Sequence, residues 1–258
     1  MRLRLWKRRA GSATTGRFEL VSRRYAQFRP GYAPTAIDSV LRRVDRAACR
    51  IADIGAGTGI ASRQIADAIA GESLVDAVDP NDAMRSAAAP HPRVRWHSGD
   101  AGRTGLADGR YDLVVCAQAF HWFEPGAALA EFARLLKPGG RLVIMNNRRD
   151  RSNAMASEYQ RILDGALGPH HSERFGNGRS AIKGSPCFGD LETERHVNDR
   201  MLSAEEFVGY ARSSSRYGDV AREEVDWLLR EAHRGNAEAD GRALFRWITE
   251  VHSAARAK

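Results

Sequence analysis

No stretch of this chain approaches the ~18–20 consecutive apolar residues of a membrane span. The start, Met1-Arg2-Leu3-Arg4-Leu5-Trp6-Lys7-Arg8-Arg9, is basic but lacks the apolar segment of a signal peptide. Cysteine is scarce: Cys49, Cys116 and Cys187 are odd in number, far apart and in no metal-binding spacing. Cys116 sits inside an apolar run, so reduced thiols and a cytoplasmic location are expected. His170-His171 invites a metal reading, but adjacent side chains diverge and no third ligand has a recognisable spacing, so no metal is expected. Lysine is also scarce. Four lysines accompany thirty-six arginines, and the formal net charge is +8. The arginines are scattered among Asp and Glu with no aromatic-interleaved basic run, a pattern of a solvated surface more than of a nucleic-acid track. No internal repeat is visible.

What the chain does have is length for one sizeable core, 258 residues, and one organising stretch, Arg50-Ile51-Ala52-Asp53-Ile54-Gly55-Ala56-Gly57-Thr58-Gly59. The apolar run Ile51 to Ile54 reads as a buried parallel strand, and Ile60 to Ile69 as the helix packing back over it. Between them, glycines suit a sharp turn that comes close to a ligand, with free N–H groups at the helix start facing it. A second apolar strand, Leu74-Val75-Asp76-Ala77-Val78-Asp79, ends in an acid 20 residues past Gly59, the spacing at which a carboxylate can grip a ribose diol. The glycines are spaced two and two, where the dinucleotide fingerprint needs two and three. A nicotinamide cofactor is therefore the runner-up, and a plain strand-to-helix turn the bland alternative.

The rest of the chain alternates in the same way. Residues 1–16 read as a flexible basic leader. Phe18, Val21, Tyr25 and Phe28 recur at helical spacing before Arg29-Pro30-Gly31-Tyr32, and Pro34 to Val44 reads as a helix. Val94 to Ser98, Tyr111 to Ala117 and Leu142 to Met145 read as strands, with a helix over Ala128 to Leu136. Ser152 to Gly184 reads as a helical lid or substrate cap. Leu191 to Asn198 and Ala243 to His252 read as the last strands, flanking helices at Ser203 to Ser213 and Val220 to Gly235. Alternating strands and helices indicate an α/β, doubly wound parallel sheet, whose ligands belong at the carboxyl ends of the strands.

Asp-Ile-Gly-Ala-Gly-Thr-Gly at 53–59 resembles motif I of the class I S-adenosylmethionine-dependent methyltransferases. Asp79 resembles the ribose-binding acid of motif II, and Ser98-Gly99-Asp100-Ala101 the adenine-side motif III. Leu136-Lys137-Pro138-Gly139-Gly140-Arg141-Leu142 follows in the family order, so the resemblance covers residues 20 to 150. Tyr25 with Arg29-Pro30, and Ala119-Phe120-His121-Trp122, are similar to stretches in the methyltransferase type 11, trans-aconitate methyltransferase-like branch. The resemblance implies a Rossmann-like seven-stranded sheet whose last strand is antiparallel between the fifth and sixth. It implies one domain over 17–258, with a cofactor-binding half at 17–150 and the cap and last two strands at 151–258.

S-adenosyl-L-methionine is the implied cofactor. Tyr25, Arg29, Asp53, Gly55, Ala56, Gly57, Gly59, Asp79, Pro80, Met84, Asp100, Ala101 and Gln118 are the implied cofactor contacts. Asp53 would hold the loop and the ammonium, Asp79 the ribose hydroxyls and Asp100 the adenine amino group. His121 and Tyr25 are the candidate bases, although a single His here can equally be structural and Tyr25 helix core. Arg29, His121, Trp122, Asn146 and Asn147 are candidate substrate contacts. Trp122 is expected as a pocket wall or as core, and Asn146-Asn147 as donors just past the fifth strand, where a solvated turn is the alternative. Arg29 is the one fixed positive charge foreseen in that group, which points to a small polar or anionic acceptor. Two rival functions stay open: conversion of the cofactor's own aminobutyryl chain with release of methylthioadenosine, and methylation of RNA or protein. Oligomeric state has no signal in the sequence.

Overall fold

The computed structural model describes residues 22–168, 177–214, 217 and 223–257. The leader over 1–16, Phe18, Val21 and His170-His171 lie outside the described residues.

The first helix, α1 (22–28), leads through Arg29 to Ala33 into α2 (Pro34–Leu41), whose Ala36, Ile37, Val40 and Leu41 are buried. Strand β1 (Arg50–Ile54) is fully buried from Ile51 on, as a central parallel strand must be. It feeds α3 (Ile60–Ala68), then β2 (Leu74–Val78), the short α4 (Asp82–Ser86) and β3 (Val94–His97). Strand β4 (Tyr111–Ala117) is followed by a single 3₁₀ turn (Phe120–Trp122) and α5 (Pro125–Leu135). Glu124 caps α5 by accepting from the N–H groups of Gly126 and Ala127, which moves the helix start three residues ahead of the expected Ala128.

Strand β5 runs Leu136–Arg149, followed by α6 (Ala154–Leu167), α7 (Asn177–Lys183), β6 (Phe188–Leu202), α8 (Ala204–Arg212), α9 (Glu223–Asn236) and β7 (Ala243–Arg256). The seven strands form one sheet in the order β3-β2-β1-β4-β5-β7-β6. β1 to β5 are parallel, and β7 runs antiparallel to both of its neighbours. This is the class I methyltransferase order expected above.

The last three strands are longer than expected, and one correction follows. Asn146 and Asn147 do not lie past the fifth strand but inside it: they pair with Glu250 and Thr249, and pairing continues to Arg149 opposite Trp247. The reason is β7. An antiparallel partner starting at Ala243 supplies hydrogen bonds beyond the level at which the parallel strands stop. β5, β6 and β7 therefore project past the carboxyl edge of the sheet.

Three clusters of buried side chains fill the molecule. One face of the sheet packs against α5 and α7 through Ile144, Phe132, Leu129 and Ile182. The other packs against α2 and α3 through Ile37, Val40, Ile65 and Val143. The third lies on the projecting strands, where α6, α8 and α9 enclose Tyr159, Phe207, Tyr210, Phe245 and Trp247. The expected cap over 152–184 thus divides. Its first half, α6, joins this helical cluster. Its second half, α7, lies on the sheet, with Gly178 so close to Ile144 that a Cβ would come within 3.1 Å of it.

Candidate active site

The loop after β1 is held from below by β2. Val78 O accepts the N–H groups of Gly55 (2.8 Å) and Ala56 (3.0 Å), Asp79 Oδ2 accepts that of Gly57 (2.8 Å), and Gly59 N–H turns back to Ala56 O (2.8 Å). The amides of Gly55, Ala56 and Gly57 are thus taken by the end of β2, and that of Gly59 by the loop itself. Two glycines show why the sequence must read as it does. Gly55 has φ +74, and a Cβ there would meet Ala119 Cβ at 2.6 Å and Phe123 at 2.8 Å. Gly57 has φ +58 with nothing within 4 Å of its missing Cβ, so the loop presents open space on that side.

Two carboxylates flank this loop. Asp53, at the end of β1, is completely buried; its Oδ2 accepts from Ser62 Oγ on α3 at 2.5 Å, while Oδ1 is buried without a partner. Burial pushes the Asp53 carboxyl up to about 6; Ser62 opposes the shift and the Asp79 charge adds to it. Asp79 also has Oδ1 occupied, by Asn81 N–H at 2.8 Å. Burial raises its carboxyl above the usual range against the pull of Asn81, Gly57 and Arg85. Thr58 Oγ1 and Gln118 Oε1 are buried without partners as well. Gln118 follows β4 with φ +55, a conformation that non-glycine residues rarely hold and that marks functional sites. Its Nε2 donates to Asn147 O at 2.9 Å.

Of the remaining expected cofactor contacts, Pro80 is exposed and Met84 half-buried on α4, whose start is capped by Asn81. Ala101 is buried. Asp100 is exposed, and its Oδ1 is turned back to the N–H groups of Gly102 and Arg103, each at 3.0 Å.

The segment preceding α2 is fastened across the carboxyl edge by four elements. Gln64 of α3 accepts from Tyr32 N–H (2.7 Å) and donates to Tyr32 O (3.0 Å). Gly31 O accepts from Asn147 Nδ2 of β5 (2.9 Å) and Asn198 Nδ2 of β6 (2.8 Å), and Thr249 Oγ1 of β7 accepts from Ala33 N–H (3.2 Å). Asn147 also accepts from Thr249 Oγ1 at 2.5 Å, so this amide ties the fold together where the sequence suggested a substrate donor. Asn146 is buried in the strand. Ser62, Gln64, Asn198 and Thr249 had no signal in the sequence, because a polar residue on a predicted helix or strand reads as its solvated face.

That fastening sets Tyr32 within electrostatic reach of Asp53, Tyr25 and Arg29. Burial drives the Tyr32 hydroxyl well above its ordinary value; Tyr25, Asp53 and Cys116 add to this and Arg29 opposes it. The guanidinium of Arg29 lies 5.0 Å from the centroid of the Tyr25 ring and donates to Ser213 O at 3.1 Å. On the far side of Gln118, the His121 ring stands 4.8 Å from that of Trp122, tilted by 44°. Trp122 is 64% exposed, so it is neither core nor an enclosed wall; the 3₁₀ turn buries Phe120 and throws the indole outward.

A loop between two carboxylates, with the amides of Gly55, Ala56, Gly57 and Gly59 already bonded, does not suit a pyrophosphate, which needs free N–H donors and repels nearby acids. It suits a ligand with a diol and cationic groups. Asp53 Oδ1, Thr58 Oγ1 and Gln118 Oε1 then supply acceptor capacity that the protein leaves unused.

A family model described as a methyltransferase domain matches residues 52–144. An uncharacterised methyltransferase of Mycobacterium tuberculosis is 38% identical over 143 residues, covering 54% of this chain and 55% of that protein. Demethylmenaquinone methyltransferase of Beutenbergia cavernae is 31% identical over 136 residues, covering 50% of this chain and 55% of its own. The chain spans about half the length of the curated relatives it matches here. Among solved structures, a candidate type II methyltransferase from Anaeromyxobacter dehalogenans superposes with a TM-score of 0.65 at 25% identity, over 89% of this chain and 97% of that one.

Proposed function

We infer that this chain, a member of the class I S-adenosylmethionine-dependent methyltransferases, carries out methyl transfer from that cofactor to a small polar or anionic molecule. The observation that carries the reading is the loop between Asp53 and Asp79, with the amides of Gly55, Ala56, Gly57 and Gly59 committed and a buried Asp53 oxygen left without a partner. Bound there, S-adenosylmethionine would supply a methyl group already activated by a sulfonium leaving group.

The protein's own part is to bind, orient and exclude water. Asp79 would accept from the ribose hydroxyls with the lone pairs that Gly57 and Asn81 leave over. Asp53 Oδ1 would accept from the ammonium, a pairing that favours the ionised carboxylate. Asp100, Ala101, Pro80 and Met84 would border the adenosine half, and Gly57 would let the backbone approach. Tyr25 and Arg29 would close over the methionyl end, held down by the bonds at Gly31, Tyr32 and Ala33. Where the acceptor carries a proton, His121 or Tyr25 would receive it. Holding two reactants in line can supply most of the rate for such a displacement, which fits a site in which the described residues form no triad.

Isothermal calorimetry with S-adenosylmethionine, S-adenosylhomocysteine and NAD tests the cofactor, with binding expected for the first two and not for the third. Saturable binding of NAD alone would overturn the reading. Incubation with methyl-labelled S-adenosylmethionine and a panel of small acids and amines tests the transfer. Label that appears in methylthioadenosine without any acceptor would replace methyl transfer by conversion of the cofactor's own chain.

A further inference from the structure

Arg29 is not the only fixed positive charge near the site. Arg149, the last residue of β5, lies on the same strand face as Asn147, whose amide reaches Gly31. Its guanidinium lies 5.2 Å from the centroid of Tyr159, and Nη2 donates to Gln160 Oε1 at 2.7 Å. The Tyr159 ring stands 5.2 Å from that of Tyr210, and Arg29 lies 5.5 Å from the Tyr210 centroid on top of its 5.0 Å approach to Tyr25. The two guanidiniums thus lie against aromatic rings, Arg149 on Tyr159 and Arg29 on Tyr25 and Tyr210, and both act on one buried hydroxyl. Burial alone would raise the Tyr210 hydroxyl, but Arg149 and Arg29 bring it below the ordinary tyrosine value. Trp247 Nε1 donates to that hydroxyl at 3.2 Å.

Among the described residues, neither guanidinium is within ion-pair distance of a carboxylate, whereas Arg212, beside the Ser213 that accepts from Arg29, is paired with Asp226. Asp164, whose charge reaches Arg149, accepts from Gln160 Nε2 at 2.8 Å. The Nε atoms of Arg29 and Arg149 are both buried without a hydrogen-bond partner. Two partly desolvated like charges with donors to spare are costly unless an anion joins them, and the planar forks are shaped for a carboxylate.

The cofactor's own carboxylate is poorly placed to be that anion at Arg149. Asp53 is level with Val115 and Val143 across β4 and β5. Arg149 lies six residues beyond Val143, roughly 20 Å further along the strand direction and roughly 10 Å to the side by ordinary strand spacings.

We propose that Arg149, together with Arg29 and the Tyr210 hydroxyl, forms a carboxylate-binding subsite for the acceptor on the projecting end of β5, outside the cradle at β1 and β2. Only the word acceptor rests on the methyl-transfer reading; the subsite itself stands on its own geometry.

The test is calorimetric titration of benzoate and glutarate at constant ionic strength, with the neutral benzamide and glutaramide as controls, with and without saturating S-adenosylhomocysteine. A carboxylate is expected to bind and its amide not to. Arg149→Gln is expected to weaken carboxylate binding by about tenfold or more, the size of a lost charge-assisted bond, and to leave S-adenosylhomocysteine affinity within about twofold. Arg149→Lys should recover part of the loss. Should Arg149→Gln fail to fold by circular dichroism, Tyr210→Phe takes its place, with a severalfold loss expected. Absence of saturable carboxylate binding, or equal binding by the variants, overturns the proposal. So does a loss of S-adenosylhomocysteine affinity as large as the loss for the probe, which would give the arginines to the cofactor. Carboxylate binding that persists in a protein unable to bind S-adenosylhomocysteine would remove the methyl-transfer reading and keep the subsite.

Discussion

Asp79 Oδ2 accepts the backbone N–H of Gly57 at 2.8 Å. One carboxylate at the end of β2 thereby shapes the loop at the end of β1, so its expected part in gripping ribose comes with a structural one.

Separating the two parts calls for two substitutions. Asp79→Asn keeps an acceptor for the loop and loses the charge; Asp79→Ala loses both. We expect each to weaken S-adenosylmethionine binding by about 1–3 kcal/mol, and Asp79→Ala also to lower stability by about 1–3 kcal/mol through the orphaned Gly57 and Asn81 amides. Calorimetry and urea denaturation measure the two effects. Unchanged affinity in Asp79→Asn would take Asp79 out of the ribose site.

Asp53 gives the site a pH dependence. Its folded value of about 6 lies above the ordinary 3.8. Between those values the folded protein keeps a proton that the unfolded chain has released. The associated stability, about 3 kcal/mol by linkage, is present below pH ~4 and lost as pH rises through ~6. Asp79, also raised, acts in the same direction. Cofactor affinity should move the opposite way and rise from pH 5 to 7, because an ammonium prefers the ionised carboxylate. Asp53→Asn should flatten both profiles. A wild-type affinity that does not change over this range would contradict the assignment of the ammonium to Asp53.

Asn147 is expected to behave as a structural residue. Replacing it with Ala leaves Thr249 Oγ1 without its acceptor and Gly31 O with Asn198 alone. Loss of about 1–2 kcal/mol in denaturant unfolding is expected. A variant with wild-type stability and a raised KM would return Asn147 to the substrate list.

Gly209 sets how closely α1 sits on α8. A Cβ there would come within 2.4 Å of the Phe28 ring, and Phe28 precedes Arg29 directly. Gly209→Ala should displace α1 at a cost of about 1–3 kcal/mol, the usual size for overpacking. Carboxylate binding should fall with it, since Arg29 moves. Protease sensitivity around α1, compared with the wild type, reads the displacement; an unchanged digestion pattern would refute it.

The sequence by itself determined the frame of this protein. Buried parallel strands need apolar runs, a tight loop against a packed ring needs Gly55, and the spacing from Gly59 to Asp79 follows from one βαβ unit; all three are local requirements written in residue type. The strand order, with β7 antiparallel between β5 and β6, came from the family likeness of those motifs. What only the tertiary structure decided depends on partners far apart in the chain. The extra length of β5 exists because β7 lies beside it, so Asn146 and Asn147 became strand residues. Gly31 is fixed by side chains 116 and 167 positions away, and the Arg29–Tyr210–Arg149 grouping joins the turn after α1 to α8 and β5. Polar residues on regular elements look alike in sequence whether they face water or a neighbour. Their roles are set by which elements meet, which local pattern does not encode.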